Sequence, residues 1–412
     1  MPQTQSQLKN WQKVRLGDVA NVLPGFAFKS SEFKKNGDIP VIKIKNIIND
    51  LNVSTENGEY LDESALNEKT KKYLISNGDI LVAMTGATAG KVGKFRSNKK
   101  ALLNQRVAKI IPKNIDANFL WVLLGNKDTI NLLYRLADGV AQPNMSGGQI
   151  ENIEFKIPTR IEDQKSIADV LSTYDDLIYN NTRRIQILEQ MAQVIYRESF
   201  VTPIANDPLP KGWEVSTLGE HLAELESGSR PKGGVGELKT GIPSVGAENI
   251  NGIGRHDHAS EKFIEKNFFE RMTRGVVKDR DVALYKDGAY IGRSSYFRDG
   301  FPHKIFSVNE HVFLLRSSGE RITQNFLYLW LREPLTIHAI RATNANAAQP
   351  GVNQSGIRGI KITLAPKEMV KVFDNKVEPI LAFIINLAKQ NNELRKMRDL
   401  LLPKLTTGEI QI

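Results

Sequence analysis

The segment TGATAGK, which runs from Thr85 to Lys91, has the composition of a phosphate-binding loop. A Walker A loop needs four residues between its glycines and a Ser or Thr after its lysine, because that hydroxyl holds the metal ion. Here three residues separate Gly86 from Gly90, and Val92 follows the lysine. The segment therefore does not predict a nucleotide site, and its glycines need another explanation.

Residue patterns of a nuclease or a methyltransferase are weak or missing. Glu-x-Lys triplets begin at Glu32, Glu154 and Glu237, but none follows a Pro-Asp pair, and such triplets are frequent by chance. A methyltransferase would need a glycine-rich cofactor motif after a strand and an Asn- or Asp-Pro-Pro-aromatic motif, and the sequence shows neither. We therefore predict no catalytic residues and no cofactor bound by this chain.

The segment GIGRHDHAS, which contains His256 and His258, is a candidate source of metal ligands. Histidine and aspartate both bind zinc, but the glycines and polar neighbours of this segment favour a solvated loop. The chain has no cysteine, which excludes disulfides, thiolate nucleophiles and zinc sites that need sulfur. We therefore predict no metal site.

Composition and charge indicate a folded protein with a polyanionic partner. The 412 residues suffice for two or three domains, and 41% hydrophobic with 25% charged residues is ordinary for a globular protein. The net charge of +10 is concentrated in residues 1–159 and 207–365, which favours nucleic acid over randomly scattered surface lysines. No apolar run reaches the length of a membrane span, and the amino terminus is too polar for a signal peptide. We expect a cytoplasmic protein.

The glycine segment is one half of an internal repeat. TGATAGKVGKF at 85–95 corresponds to DGAYIGRSSYF at 287–297. Four further pairs follow in the same order: GDIPVIKIKNI (37–47) with GIPSVGAENI (241–250), LLNQRVAKI (102–110) with FSVNEHVFL (306–314), NFLWVLL (118–124) with NFLYLWL (325–331), and AQPNMSGGQIENI (141–153) with AQPGVNQSGIRGI (348–360). The separations of 202 to 207 residues indicate that the chain duplicates about half its length.

Each half is predicted to consist of a sheet domain and a long helix, which is an α+β fold. Short runs rich in Val and Ile, broken by Gly, Asn and Pro, predict a twisted mixed β-sheet, and NFLWVLL and NFLYLWL predict short helices. The predicted domains are a first sheet domain at 1–158, a central helix at 159–206, a second sheet domain at 207–365, and a distal helix with its tail at 366–412.

Both long helices carry apolar residues at alternating spacings of four and three, which indicates heptad seams. A pseudo-twofold relation between the halves would pair the helices as an antiparallel coiled coil. The alternative is that each helix lies on its own domain. Two seam positions are asparagines, which fix register at some cost in stability. The predicted seam residues are Ile167, Leu171, Tyr174, Ile178, Asn181, Ile185, Leu188 and Ile195 in the central helix, and Phe373, Val377, Ile380, Ile384, Leu387, Asn391, Leu394 and Leu401 in the distal one.

With this organisation, the chain resembles the specificity subunits of type I restriction-modification systems. QKSIADVLSTYDDLIYNNTRRIQILEQM at 164–191 is similar to the family's central conserved region, and LLPKLTTGEI at 401–410 is similar to its distal one. The resemblance implies a non-catalytic reader of double-stranded DNA, in which each recognition domain contacts one half of a bipartite, gapped sequence. It also implies that the paired helices set the gap and dock two methyltransferase subunits carrying S-adenosylmethionine. Whether restriction (nuclease-translocase) subunits join the complex stays open.

Sequence reading requires side chains that hydrogen-bond base edges, while contacts to phosphates position the protein. We expect loops at strand ends to supply these side chains. The glycines beside them either let the backbone approach a phosphate or shape a hairpin. Polar differences between the halves, such as Lys45 against Glu248, suggest different half-sites. The candidate DNA-binding residues are Lys43, Lys45, Asn46, Thr85, Thr88, Lys91, Asn104, Gln105 and Arg106 in the first half, and Glu248, Asn249, Lys286, Tyr290, Arg293, Asn309 and His311 in the second.

A second hypothesis, from another functional class, is a non-catalytic RNA-binding or scaffold protein built from the same duplication. Either kind of protein would show the same basic charge, repeat and helices.

Overall fold

The computed structural model describes residues 10–48, 51–56, 58–137, 144–205, 208–235, 238–319, 321–344, 351–407 and 409–410. The chain forms two compact units, which are described separately below. The first comprises Met1–Asp176 and Lys396–Ile412, and the second comprises Leu177–Arg395. No helix among these described residues is long and apolar enough to cross a membrane.

The first unit combines three sheets with short helices. Its strands are β1 (Trp11–Arg15), β2 (Ala20–Pro24), β3 (Ile39–Ile42), β4 (Ile47–Ile48), β5 (Asn52–Val53), β6 (Glu59–Leu61), β7 (Leu74–Ile75), β8 (Ile80–Ala83), β9 (Val92–Lys94), β10 (Ala101–Leu103), β11 (Val107–Pro112) and β12 (Glu154–Pro158). Its helices are α1 (Leu16–Val19), α2 (Ala117–Leu124), α3 (Lys127–Ala137), α4 (Gly147–Glu151) and the start of α5 (Ile161–Tyr196).

The second unit repeats most of these elements. Its strands are β13 (Glu214–Thr217), β14 (Leu222–Ser227), β15 (Ile242–Val245), β16 (Phe263–Ile264), β17 (Asp281–Tyr285), β18 (Ser294–Phe297), β19 (Ser307–Val308), β20 (Val312–Ser317) and β21 (Lys361–Leu364). Its helices are α6 (Lys266–Phe269), α7 (Gln324–Leu331), α8 (Pro334–Ala342), α9 (Gln354–Arg358) and most of α10 (Lys367–Thr406).

The sheet topologies confirm the predicted duplication. The order β2-β11-β8-β9 in the first unit corresponds to β14-β20-β17-β18 in the second, and β6-β3-β10 corresponds to β16-β15-β19. In both units the central pair of the smaller sheet, β3 with β10 and β15 with β19, is parallel. The terminal pairs β1 with β12 and β13 with β21 are antiparallel. The first sheet is extended by β5 and β4, which have no counterpart among the described residues of the second unit.

The predicted short helices are α2 and α7, and polar side chains cap both. Asp116 accepts hydrogen bonds from the amides of Asn118 and Phe119 at the start of α2, and Thr323 accepts one from Phe326 at the start of α7. Such caps satisfy amides that have no partner within the helix. Both helices are buried along nearly their whole length, which explains their almost uniformly apolar sequences.

Helices α5 and α10 pair antiparallel in each unit. In the first unit, Arg398 of α10 donates to Asp175 of α5 at 2.8 Å. In the second, the rings of Tyr196 and Phe373 lie 5.9 Å apart, so residues late in one helix lie opposite residues early in the other. The predicted antiparallel pairing is thereby confirmed. Helix α5 continues past Tyr196 as a π-helical turn, Arg197–Val201.

The seam residues face inward without exception. Those that are buried are Ile167, Leu171, Ile178, Asn181, Ile185, Phe373, Val377, Ile384, Leu387 and Asn391. Those that are half-buried are Tyr174, Leu188, Ile195, Ile380, Leu394 and Leu401.

A polar layer interrupts the apolar seam at the two asparagines, Asn181 and Asn391. The amide nitrogen of Asn391 donates to the hydroxyl of Thr182 at 3.2 Å, and that of Asn181 lies 3.5 Å from Gln390 Oε1. The side-chain oxygen of Asn391 is buried and has no hydrogen-bond partner in the described part of the chain. A buried amide with an unsatisfied oxygen costs about 1–3 kcal/mol, so this layer favours one register at the expense of stability.

The helices also pack on the sheet domains. The two interpretations of the heptad pattern, helix pairing and packing on a domain, are therefore both correct. Ile167 and Leu171 of α5 join the core of the first unit with Leu405 of α10. Residues of both helices, from Ile185 and from Phe373 onward, join the core of the second unit. The compact units therefore divide both helices, whereas the predicted domain borders leave each helix whole; those borders stay a prediction.

Candidate nucleic-acid interface

Three turns of the first unit carry its predicted DNA contacts. They are the 43–46 turn after β3, the 85–88 turn after β8, and the 104–106 turn between β10 and β11. The amide of Asn104 donates to the carbonyl of Ile42 at 3.0 Å, and the amide of Met84 donates to the carbonyl of Arg106 at 3.0 Å. The fold thus brings together three segments that are far apart in sequence.

The predicted side chains on these turns differ in access to solvent. The exposed ones are Lys45, Gln105 and Arg106; the half-buried ones are Lys43, Thr85, Thr88 and Lys91; the buried ones are Asn46 and Asn104. Exposed Gln and Arg side chains at the 104–106 turn have the donors and acceptors needed to reach base edges or phosphates.

The two lysines of the 43–46 turn share one carboxylate. The Lys45 ammonium lies 3.0 Å from Glu59, and Lys43 also donates to the Glu59 carboxylate. Hydrogen bonds from Lys43 and then Lys45 lower the pKa of Glu59. This carboxylate offsets part of the positive charge of the turn, so the turn offers an anion less charge than its sequence suggests.

Equivalent asparagines shape a turn in each unit. Asn46 accepts from the amide of Lys43 at 2.9 Å and donates to the carbonyl of Ser54 at 2.8 Å. Asn249 accepts from the amide of Asp257 at 2.7 Å. Both asparagines are at most 3% exposed. Their polar atoms are engaged within the protein, so the structure gives them a positioning role rather than an accessible reading surface.

The glycines of the repeated motif build hairpin turns that support helices. Gly90 and Gly292 both have positive φ, of 85° and 90°. A Cβ on Gly90 would lie 2.8 Å from the backbone nitrogen of Tyr134 in α3, and one on Gly292 would lie 3.1 Å from Ile337 in α8. Glycine is required here both by the left-handed backbone and by the close approach of a helix.

The threonines of the 85–88 turn have unsatisfied hydroxyl groups. The backbone of Thr85 pairs with that of Asn144, which follows the 141–143 part of the repeated AQP segment that lies outside the described residues. The hydroxyls of Thr85 and Thr88 are buried and have no hydrogen-bond partner among the described residues.

The second unit assembles the equivalent three turns. They are the 246–249 turn after β15, the 287–290 turn after β17, and the 309–311 turn between β19 and β20. The amide of Asn309 donates to the carbonyl of Val245 at 3.0 Å, and that of Lys286 donates to the carbonyl of His311 at 3.1 Å. These hydrogen bonds match those of the first unit position by position.

The predicted residues on and beside the three turns of the second unit also differ in solvent exposure. The exposed predicted residues are Tyr290 and Arg293, the half-buried ones are Glu248, Lys286, Asn309 and His311, and Asn249 is buried. The Arg293 guanidinium lies 3.8 Å from the centre of the Tyr290 ring and donates to Asn251 at 3.3 Å. A cation stacked on an exposed aromatic ring is a common arrangement at nucleic-acid surfaces.

The second set of turns contains more acidic groups than the first. His311 Nδ1 lies 2.8 Å from Asp287, and its Nε2 lies 3.2 Å from Glu310. Glu248 lies 3.8 Å from the Lys262 ammonium. Two surfaces with the same backbone but different charge favour different ligands.

Sequence reasoning missed one further segment of this surface in each unit. In the irregular segment after β2, the backbone of Phe26 forms an isolated bridge with that of Asn104. Arg230, after β14, pairs with Glu310 at 2.6 Å. The glycines that begin these segments, Gly25 and Gly228, lie so close to the neighbouring turn that a Cβ would come within 2.2 Å of it. This glycine pair, spaced like the other repeats, is the signal that could have revealed the segment.

The Glu-x-Lys triplets lie in unrelated places. Glu154 pairs with Lys13 at 2.6 Å on the surface of the terminal strand pair, and Glu32 accepts from the amide of Lys29 at 3.0 Å. Glu237 lies outside the described residues.

Comparisons with known proteins agree with the duplicated fold. A model of the type I restriction modification DNA specificity domain matches residues 8–190 and 210–396, one match in each half. The chain is 28% identical to the MjaIX type I restriction enzyme specificity subunit of Methanocaldococcus jannaschii, over 98% of this chain and 94% of that protein. It is 25% identical to the EcoBI specificity subunit of Escherichia coli, over 97% and 86% of the two chains.

A solved structure shares the fold. The S subunit of a type I restriction-modification system from M. genitalium superposes with a TM-score of 0.57 at 18% identity, covering 98% of both chains. Two sheet domains and two long helices are therefore an arrangement already known in this group of proteins.

Proposed function

The chain belongs to the type I restriction-modification DNA specificity family as a specificity subunit, and from this premise we propose that it reads a bipartite, gapped DNA sequence for a methyltransferase complex. Each recognition domain reads one half of the sequence through its three turns. The duplication supports two half-sites because it presents the same backbone surface twice. Exposed Gln105 and Arg106 on one surface, and Tyr290 and Arg293 on the other, support different base preferences.

The proposal gives the asparagines and glycines of the turns a supporting role. Asn46 and Asn249 hold the turns that carry the exposed side chains.

We further propose that α5 and α10 dock two methyltransferase subunits, each carrying S-adenosylmethionine. Support comes from an apolar stripe on α5, where Ile187, Met191 and Val194 are 44%, 47% and 56% exposed. These residues recur at helical spacing on one face, and contiguous exposed apolar surface marks an interaction site. A complex with or without restriction subunits, acting in the cytoplasm, is consistent with this role.

In this proposal the chain itself catalyses no reaction. It supplies sequence selection, while the transferred methyl group and the catalytic residues come from the partner. The alternative of an RNA-binding or scaffold protein is not favoured, because the family match covers both halves of the chain.

The test exchanges residues 1–158 for the equivalent domain of a relative that has a different methylated sequence. Methylation by the reconstituted complex is then mapped by single-molecule sequencing. We expect one half of the recognised sequence to change and the other half, together with the gap, to remain. A parallel reaction without the methyltransferase subunits is expected to leave the DNA unmodified and uncut.

Two outcomes would contradict the proposal. A swap that alters both halves, or neither, would show that the domains do not read independently. Modification or cleavage by the chain alone would show that it is an enzyme.

A further inference from the structure

Three histidines and one glutamate of the second unit converge on one point. Glu261 Oε1 lies 2.5 Å from His256 Nε2, 2.9 Å from His258 Nδ1 and 2.5 Å from His303 Nε2. His303 is 42 residues from Glu261 in sequence and reaches the cluster from the segment between β18 and β19. Three of the chain's six histidines thus meet at one carboxylate.

The prediction of a solvated loop is correct for the exposed His258 but not for His256. The His256 side chain is fully buried and that of Glu261 is 9% exposed. Nothing in the local pattern around HDH indicates that His303 would join these residues. The loop is ordered by a tertiary cluster that involves a distant histidine.

The four ligand atoms have the chemistry and spacing of a zinc site. One ring nitrogen from each histidine and one carboxylate oxygen all lie within 4.8 Å of one another. Zinc binds imidazole nitrogen and carboxylate oxygen at about 2.0–2.2 Å in tetrahedral geometry, which places neighbouring ligand atoms about 3.3 Å apart. An ion at the centre requires the pairs now 2.5 Å apart to separate by less than about 1 Å, and pairs at up to 4.8 Å to approach by up to about 1.5 Å. Adjustment of side-chain rotamers can supply such shifts.

The electrostatics of the cluster suit a cation. Metal binding uses the neutral imidazole and the ionised carboxylate, which are the ordinary ligand forms of these two side chains. Three imidazole nitrogens and one carboxylate oxygen form a donor set that a divalent ion can bind in place of their mutual hydrogen bonds.

The ligand set selects zinc and a structural role. Calcium and magnesium prefer oxygen ligands, whereas imidazole suits zinc. Four protein ligands fill the tetrahedral positions, so no position is left open for a catalytic water. We propose that His256, His258, Glu261 and His303 form a structural Zn²⁺ site in the second recognition domain.

The proposed ion would stabilise one of the three turns of that domain. Asp257, between the two histidine ligands, donates its amide to Asn249 at 2.7 Å. Lys262, next to the glutamate ligand, pairs with Glu248. The cluster therefore supports the 246–249 turn. All histidines of the chain follow residue 220, so the first half cannot build the same site.

The experiment measures metal bound to the untagged full-length chain. The protein is supplied with equimolar Zn²⁺, dialysed into metal-free buffer and analysed by mass spectrometry for zinc. We expect about one zinc ion per wild-type chain, and loss of that ion in the double variant His258→Ala/His303→Ala. These two side chains are 39% and 27% exposed, so their truncation is compatible with folding. Exposed His338, on α8, provides the matched control, and His338→Ala is expected to retain the ion.

Two further measurements separate a specific site from general effects on folding. Glu261→Gln keeps the shape of the ligand but removes its charge. Loss of a residue that only supports a ligand weakens metal binding roughly 10–100-fold. Because Glu261 is itself a proposed ligand, we expect a larger loss of zinc affinity. With cobalt in place of zinc, only the wild type and His338→Ala should show the visible absorption bands of tetrahedral Co²⁺. EDTA should speed hydrogen exchange across residues 246–262 in the same two proteins.

Equal zinc content in the wild type and in the double variant would overturn the proposal, since binding would then be adventitious. A wild-type chain that retains no zinc would also overturn it and would leave a hydrogen-bonded histidine cluster. Circular dichroism of each variant establishes that loss of zinc is measured on folded protein.

Discussion

At the residue scale, the two predicted arginines have different surroundings. The Arg106 guanidinium is exposed and makes no hydrogen bond or ion pair with the described residues. The Arg293 guanidinium is also exposed but is held over the ring of Tyr290 and hydrogen-bonded to Asn251. A preorganised side chain loses less conformational entropy when it binds, so the second surface is better prepared for a ligand than the first.

Replacing each arginine by alanine tests whether these turns read DNA. If an arginine contacts a base in two hydrogen bonds, we expect its loss to weaken binding by about 1–3 kcal/mol and to relax one position of the methylated sequence. Arg106→Ala should affect one half-site and Arg293→Ala the other. Methylation mapping and DNA-binding titrations at several salt concentrations are the measurements.

Lys113 provides the control for the arginine variants, because it is exposed and follows the opposite end of β11 from Arg106. Lys113→Ala should leave the methylated sequence unchanged. If both arginine variants behave like Lys113→Ala, these turns do not contact the DNA. If the variant instead binds all DNA sequences more weakly by the same factor, and its affinity depends less on salt, the arginine contacts a phosphate.

At the scale of elements, a cluster of charged groups attaches α10 to the second domain. Glu378 of α10 accepts hydrogen bonds from Arg280, Arg298 and Asn325. Arg298 is 1% exposed and also pairs with Asp299 at 2.8 Å. Burial opposes ionisation of Glu378, but the hydrogen bonds from these three partners lower its pKa to about 2. Removing one partner of such a pair leaves a buried charge that is incompletely compensated.

We expect Glu378→Gln to lower the free energy of unfolding of the second unit by roughly 3 kcal/mol. This value is at the lower end for breaking a buried ion pair, since Asp299 still pairs with Arg298 in the variant. The pKa of Glu378 is lower in the folded protein, so its contribution is complete above the unfolded value near 4.5 and is lost as the pH falls toward 2. Urea unfolding at pH 7 and pH 3.5, followed by tryptophan fluorescence, should therefore show a smaller pH dependence in the variant.

Glu368 lies exposed in the first turn of α10 and offers the matched control. Glu368→Gln should change stability by no more than about 1 kcal/mol, the effect of one charge near a helix end. If Glu378→Gln is as mild as Glu368→Gln, the charged cluster does not hold the helix in place.

At the scale of the whole molecule, the long helices are candidates for the spacer between half-sites. Helix α5 has 36 residues and α10 has 40, which correspond to about 54 and 60 Å at 1.5 Å per residue. Successive major-groove faces recur about every 34 Å along B-DNA. Helices of this length are therefore sufficient to separate two reading surfaces by one to two turns of DNA.

Inserting one heptad into each helix should lengthen the gap in the recognised sequence. Residues 180 and 392 lie beside the polar layer in which Asn391 contacts Thr182, so insertions after them add facing heptads and keep the 3.5-residue repeat. The helices become about 10 Å longer, or about three base pairs at 3.4 Å each. Methylation mapping should show the same specified bases around a longer gap.

An insertion into α5 alone serves as the control, since it shifts one seam against the other and should impair folding of the pair. An active double-insertion complex that retains the original gap would show that the helices do not set the spacing.

The sequence by itself determined the duplication, the α+β class and the antiparallel long helices. Apolar alternation and heptad spacing are visible within one segment, and the duplication is visible when segments 202 to 207 residues apart are compared. The seam residues from Ile167 to Leu401 illustrate this, since every one of them is buried or half-buried.

The tertiary structure decided which predicted side chains are accessible and which distant groups meet. Asn46 and Asn249 occupy loop positions that suggest base contacts, but their amides are engaged by neighbouring backbone groups. His303 joins His256 through a contact that no local pattern contains. The exposure of a side chain and its distance from other side chains depend on how sheets and turns separated by tens of residues pack together. A sequence pattern gives only the spacing of residues along the chain, so it does not contain these distances.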